Sequence, residues 1–255
     1  MAAPTPLILT DFGIWTFTTL GVIDLIAATT NAFNGALLAR RPDHYKHFTL
    51  IGIIILAYIG GIGGGIIRDV LVNKVPSPLL NPWYLIACLA AASLALAIDY
   101  KSEQRFKDGL FQFMTAFSLP WYAIVGAQTA MDAHLGYLAA VIVGAIATTG
   151  GRFVIDIACG CIPKQLVRGE FFVGAALLTG TIYLIFAYGI GLSVIVSTVL
   201  AFLCGFGFRL AAQTLGWEEW EPWEPEDLTT GEKTRKTLGE GLQAEFGPRE
   251  GTAKH

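Results

Sequence analysis

"YIGGIGGGIIRDVLVNKVP", residues 58–76, decides how this chain is read. The stretch starts apolar, passes through five glycines in six residues, and then sets Arg68 and Asp69 side by side. A glycine in a helix interior costs about 1 kcal/mol relative to alanine. An arginine or aspartate in apolar surroundings costs more unless it is paired. The composition says what those surroundings are. Of 255 residues, 54% are hydrophobic and only 15% charged, with a mean hydropathy of +0.57. An ordinary soluble domain carries about 25% charged residues. Such a chain calls for a bilayer, and its apolar runs are long enough to cross a hydrocarbon core of about 30 Å. The expectation is an all-α, polytopic membrane protein.

Seven spans are expected, at 12–38, 48–73, 82–99, 108–131, 136–158, 170–189 and 191–213, with residues 214–255 as a tail. Charged or proline-bearing links separate most of them, and Pro120 is expected to kink the fourth. The links after spans 1, 3 and 5 carry Arg40, Arg41, Lys46, Lys101, Arg105, Lys107, Lys164 and Arg168, whereas those on the opposite side carry only Lys74. Positive residues stay inside, so the C-terminus is expected in the cytoplasm and the N-terminus outside. No basic residue precedes the first span, so no cleavable signal peptide is expected. The tail opens with Trp217, Trp220 and Trp223, suited to the headgroup layer. Its remainder is acidic, poor in apolar residues, and reads as disordered. Cys88, Cys159, Cys161 and Cys204 have no metal-ligand spacing and read as small buried hydrophobes.

The opening stretch recurs. Displaced by 87 residues, Gly63, Gly64, Asp69 and Pro76 fall on Gly150, Gly151, Asp156 and Pro163. Upstream, "NAFNGALLA" (31–39) matches "YAIVGAQTA" (122–130) at four positions. Residues 12–99 and 108–189 therefore read as two three-helix repeats. With an odd number of helices each, the copies are inverted, and helix 7 (191–213) lies outside them. Inverted repeats place the functional path near their interface. The glycines fall near the membrane middle, where helices 2 and 5 are expected to break. Irregular backbone and buried charge at that depth need protein or a water-filled cavity around them.

Residues expected to line or gate such a path are Asp24, Asn31, Asn34, Gly63, Gly64, Gly65, Arg68 and Asp69 in the first half. In the second half they are Ser118, Tyr122, Thr148, Thr149, Gly150, Gly151, Arg152 and Asp156. Polar stripes on span 1 (Asp24, Asn31, Asn34) and span 4 (Thr115, Ser118, Tyr122, Thr129) suit either a path or helix-packing glue.

These residues resemble the trimeric intracellular cation channel family, in particular its prokaryotic branch. The likeness covers residues 12–221 and rests on "DLIAATTNAFNGALLA", "GGGIIRD", "GG…D" with "CIP" in span 5, and "FRLAAQTLGW" ending span 7. It implies seven helices, a homotrimer, an ion path inside each protomer, passive conduction of monovalent cations, mainly K+ with Na+ second, and gates at helices 2 and 5. It implies no catalysis and no cofactor beyond bound lipid. One departure stands out: "GGRFVID" puts Arg152 where the third glycine belongs and Ile155 where the arginine belongs. Arg152 lies four residues before Asp156, within reach of an intrahelical ion pair. Arg68 and Arg152 are candidate plugs, held by Asp24, Asp69 or Asp156, and candidate voltage-sensing charges.

The alternatives are a secondary transporter of a small zwitterion such as glycine, which uses the same devices, and a non-transporting scaffold. No nucleophile–base pair or metal set points to an enzyme, and nothing points to nucleic acid or a particular protein partner. Membrane lipid is the expected neighbour, with Arg40, Arg41 and Lys46 weakly attractive to anionic headgroups. The expected location is a prokaryotic cell (inner) membrane.

Overall fold

The computed structural model describes residues 8–12, 15–41, 47–101, 104–163, 165–166, 169 and 171–219. A hairpin comes first: β1 (Ile8–Phe12) pairs antiparallel with β2 (Trp15–Thr18). The first helix therefore starts at Thr19, not at residue 12 as expected, and among the described residues the regular structure is helical apart from this hairpin. The segment is rich in threonine and aromatic residues, which favour strands. Thr18 then accepts a hydrogen bond from the Gly21 N–H at 3.1 Å, an N-cap that fixes where the helix begins.

The helices are α1 (Thr19–Leu38), α2 (Leu50–Leu71), α3 (Ser77–Leu80), α4 (Pro82–Lys101), α5 (Gln104–Asp132), α6 (Tyr137–Ala158), α7 (Val173–Leu184) and α8 (Val194–Leu215). A π-helical turn, Ile185–Ile190, prolongs α7 until Gly191, at φ +81°, ends it. Tyr188 in that turn and Tyr183 in α7 both donate to Gln128 Oε1, at 3.1 and 2.7 Å, which ties the turn to α5. Six helices have the length and hydropathy to span a membrane, and a shorter apolar helix, Pro82–Ile98, lies within α4. α5 runs through Pro120 as one helix, walled by the buried side chains of Leu119, Ala123 and Ile124.

α1 packs on α2, α4 and α5. α5 packs on α6, α7 and α8, and α2 crosses α6. In lipid, close packing must do what hydrophobic segregation does in water, so small residues collect at the contacts. Ala27, Ala28, Ala32 and Ala36 of α1 are all buried.

The expected breaks in helices 2 and 5 are not present. α2 is one α-helix across its glycines, and α6 is one α-helix across Gly150 and Gly151. The glycines are needed for close approach instead. A Cβ on Gly61 would lie 2.8 Å from the Ala28 carbonyl oxygen of α1 and 2.9 Å from Cys88 Sγ of α4. One on Gly64 would collide with the Ala147 carbonyl of α6, and one on Gly151 would lie 2.9 Å from the Gly60 carbonyl oxygen. The glycine penalty is offset because two backbones touch where side chains would hold them apart.

α2 and α6 also end alike. In α2 the Asn73 N–H reaches the Val70 carbonyl and Lys74 N–H the Asp69 carbonyl, with Asn73 at φ +56°. In α6 the Gly160 N–H reaches Ile157 and Cys161 N–H reaches Asp156, with Gly160 at φ +69°. Each residue lies 87 positions from its counterpart, and both ends are Schellman motifs. In the tail, the Trp217 ring lies 6.2 Å from that of Phe208. Trp220, Trp223 and the acidic remainder lie outside the described residues.

Candidate functional site

Polar side chains gather at two ends of the helical bundle. The first cluster joins the start of α1, the last turn of α2, and the starts of α3 and α4. Arg68 Nη1 and Nη2 donate to Asp24 Oδ1 and Oδ2 at 2.8 and 3.1 Å, and its Nε donates to Asp69 Oδ1 at 2.7 Å. Asp24 Oδ2 also accepts from the Tyr84 hydroxyl at 3.0 Å, and Asp69 Oδ2 from the Ser77 N–H at 2.7 Å. Arg68, Asp24 and Asp69 are 2%, 4% and 1% exposed. Every carboxylate oxygen thus has a donor, and this is what a buried ion set needs to survive. A guanidinium is suited to hold two carboxylates because its planar fork serves one of them bidentately. Tyr84→Phe removes one hydrogen bond to a charged group. It is expected to cost about 1.5–3 kcal/mol, visible as a lower thermal midpoint of the purified protein in detergent.

The second cluster joins the ends of α1, α6 and α8 to the start of α5. Arg152 Nε donates to Asp156 Oδ1 at 2.8 Å, one helical turn on. Asp156 is fully buried, and the Arg152 side chain is 18% exposed. The guanidiniums of Arg41 and Arg152 lie 5.1 and 5.4 Å from the Phe111 ring centroid, a cation–π arrangement. Arg41 also lies 3.8 Å from Asp108. Arg209 of α8 is 5% exposed, with its guanidinium 5.6 Å from the Phe172 ring centroid.

From this second end a small cavity of about 40 Å³, partly open to solvent, reaches in among α1, α2, α5 and α6. Asn31, Asn34, Ser118, Thr148 and Arg152 line it, as does Thr115, with Phe111, Leu38, Leu119, Ile155 and Phe172 as apolar wall. Gly35 and Gly60 also border it. Asn34 Nδ2 donates to Thr115 Oγ1 at 3.1 Å, and Ser118 Oγ to Asn31 Oδ1 at 2.5 Å. The polar stripes of α1 and α5 therefore face each other: they bond across the helices and border the cavity.

Tyr122 is not among the cavity's lining residues. It is fully buried one turn beyond Ser118, and its hydroxyl donates to the Gly61 carbonyl of α2. Thr149 bonds back to the Ala145 carbonyl at 2.9 Å and does not line the cavity. Gly63, Gly64, Gly150 and Gly151 meet at the α2–α6 crossing, while Gly65 faces Pro78 and Arg68. Arg68 thus joins Asp24 and Asp69 at one end of the bundle, and Arg152 joins Asp156 at the other.

Tyr84, Phe111 and Arg209 were not singled out in the sequence. An ionisable residue inside a span is a functional pointer by default, and that rule flags Arg209 within "FRLAAQTLGW". Phe111 lies one turn before Thr115 on the same stripe. Tyr84 carried no comparable signal, because an aromatic residue near the start of a span is ordinary.

A family model described as "Glycine transporter" matches residues 21–100 and 112–188. A UPF0126 membrane protein of Deinococcus radiodurans is 32% identical over 166 residues, 64% of this chain and 74% of that protein. The UPF0126 inner membrane protein YadS of Escherichia coli K12 is 24% identical over 193 residues, 74% of this chain and 89% of its own. Among solved structures, a trimeric intracellular cation channel orthologue from Rhodobacter sphaeroides superposes with a TM-score of 0.69 at 26% identity, covering 77% of this chain and 98% of that one. A structure described as the basis for conductance through such cation channels gives 0.69 at 26% identity, with 81% and 98% covered.

Proposed function

The chain belongs to the trimeric intracellular cation channel family, and on that footing we propose that it is a passive channel for monovalent cations, K+ foremost. The observation that carries this reading is the polar cavity among α1, α2, α5 and α6, lined by the amides of Asn31 and Asn34, the hydroxyls of Thr115, Ser118 and Thr148 and the Arg152 guanidinium. A protein stabilised by packing alone gains nothing from such a cavity, whereas a permeating ion needs oxygens in place of its water.

In this reading each protomer of a homotrimer holds its own path. The path is closed at the far end by Arg68, clamped between Asp24 and Asp69, and between the ends by the α2–α6 glycine crossing. Gating is the parting of those two helices, with Tyr122 holding α2 at Gly61. Two arguments support reading the halves as inverted repeats: the family model matches both, and α2 and α6 end in the same bonds at a displacement of 87 residues. The excess of Lys and Arg in the links after spans 1, 3 and 5 supports placing that side in the cytoplasm of a prokaryotic inner membrane, with the N-terminus outside.

A second reading, a secondary transporter of glycine, is favoured by the description that the family model carries. Proteoliposomes separate the two. A channel is expected to pass rubidium, a K+ surrogate, at rates that do not saturate over the working concentration range, with no concentrative glycine uptake under any ion gradient. Saturable, gradient-driven glycine uptake with rubidium impermeant would reverse the choice.

A further inference from the structure

Two helices of this fold begin with the same need and meet it differently. The first N–H groups of a helix have no partner within it. At the start of α4 the chain supplies one locally: Asn81 Oδ1 accepts from the Trp83 N–H at 3.0 Å. α7 is entered through "FFVG" (171–174), with Phe172 at the N-cap position and no side-chain cap of its own. Its acceptor comes from 45 residues further along the chain, where Glu219 Oε1 accepts from the Gly174 N–H at 3.3 Å. A carboxylate in that place also meets the positive end of the helix dipole.

The backbone of Glu219 holds the same segment, its N–H donating to the Gly169 carbonyl at 2.8 Å. The end of α8 grips the rest. Arg209 Nη1 donates to the Phe171 carbonyl at 3.5 Å, and its guanidinium faces the Phe172 ring. The Phe208 ring meets that of Phe171 edge to face at 5.7 Å, with Trp217 on its other flank. Gly216, at φ +65°, ends α8 and turns the chain toward these contacts. The entry to α7 is therefore fixed by α8 and by the residues that follow it, up to Glu219.

That entry carries Phe172, part of the apolar wall of the polar cavity. An apolar ring beside a void gains dispersion contacts by moving into it, so something must hold it back. We propose that Glu219 is a positioning residue for this wall: by capping α7 from beyond α8, and acting with Arg209, it keeps the Phe172 ring out of the cavity and this end of the path open. The inference rests on the cation-path reading. It gives a task to α8, the helix left over from the two proposed repeats, because α8 and its following residues supply the hold that α7 lacks. A displacement of Gly216–Glu219 thereby reaches the cavity wall.

Hydrogen exchange and unitary K+ currents, both measured on the full chain, test this together. Glu219→Ala is expected to speed amide exchange across residues 172–176 several-fold and to lower unitary conductance several-fold as the ring folds into the cavity. Glu219→Gln keeps the acceptor and is expected to stay near wild type in both. Phe172→Ala removes the ring, so adding Glu219→Ala to it is expected to leave the conductance unchanged. Phe172→Leu, in which the effect of Glu219→Ala shrinks, serves if that background does not fold. Unchanged exchange, unchanged conductance despite faster exchange, or an undiminished effect without the ring overturns the assignment. The expected exchange pattern in a protein whose wild type passes no current would defeat the channel reading and leave the hold of Glu219 on Phe172 standing.

Discussion

Replacing Arg68 by methionine is expected to lower the stability of the folded chain by about 3–5 kcal/mol, the usual result of stripping one partner from a buried ion set. The reason is geometric. Asp24 and Asp69 are each under 5% exposed, and Arg68 supplies three of the hydrogen bonds to their oxygens. Without it, two carboxylates are left in a low-dielectric interior, one held by Tyr84 and the other by the Ser77 N–H. The double variant Arg68→Met, Asp24→Asn removes one of the stranded charges and should recover part of the loss. The effects of the two substitutions are therefore expected to be strongly non-additive. Denaturation of the purified protein in detergent, run on both singles and the double, measures this. Additive losses would mean that the three groups do not act as one set. The same variants are expected to raise open probability in whatever fraction assembles, because Arg68 is the plug in the proposed path.

The second large effect separates two adjacent glycines. Gly64→Val is expected to destabilise by about 1–3 kcal/mol or more, because its Cβ would occupy the place of the Ala147 carbonyl. A backbone oxygen in a packed helix has no rotamer with which to yield, so α2 and α6 must part. Gly65→Ala is expected to be near neutral or mildly stabilising, by up to about 1 kcal/mol of helix propensity. Its Cβ would meet only Pro78 Cγ at 3.5 Å and Arg68 Nη2 at 3.8 Å, ordinary contacts. Thermal midpoints of the two variants decide the matter. Equal losses at both positions would favour the view that the glycines serve as a flexible break rather than as a contact.

That contrast also shows what a sequence of this kind reveals and what it hides. A run of glycines beside buried charge marks a special place in a membrane chain, and residues 60–69 are such a place. Whether glycine there breaks a helix or admits a neighbour depends on what lies across from it, and no local pattern names Ala28, Cys88 or Ala147 as that neighbour. The Arg152–Asp156 pair was legible because both members sit on one helix, four residues apart. Arg68 with Asp69 and Asp24 was legible as a set of candidate partners, since buried charges must find one another. Tyr84 as their additional donor was not, because contacts across helices leave no periodicity. The hairpin before α1 was obscured by the same apolar composition that marks the spans: in a chain this hydrophobic, strand and helix runs differ only by their β-branched and aromatic content and by the Thr18 cap. Helical amphipathicity, the usual guide to which face packs inward, has little contrast when lipid covers the other face.

The central claim is that cations cross this protein passively. Its most direct test is the current through purified full-length chain in a planar bilayer under a KCl gradient, with wild type and Asp69→Asn compared. Discrete unitary currents whose zero-current potential lies toward the K+ equilibrium potential, with gating altered by the substitution, are the predicted result. Silence at both polarities, from protein shown to be folded and assembled, would contradict it.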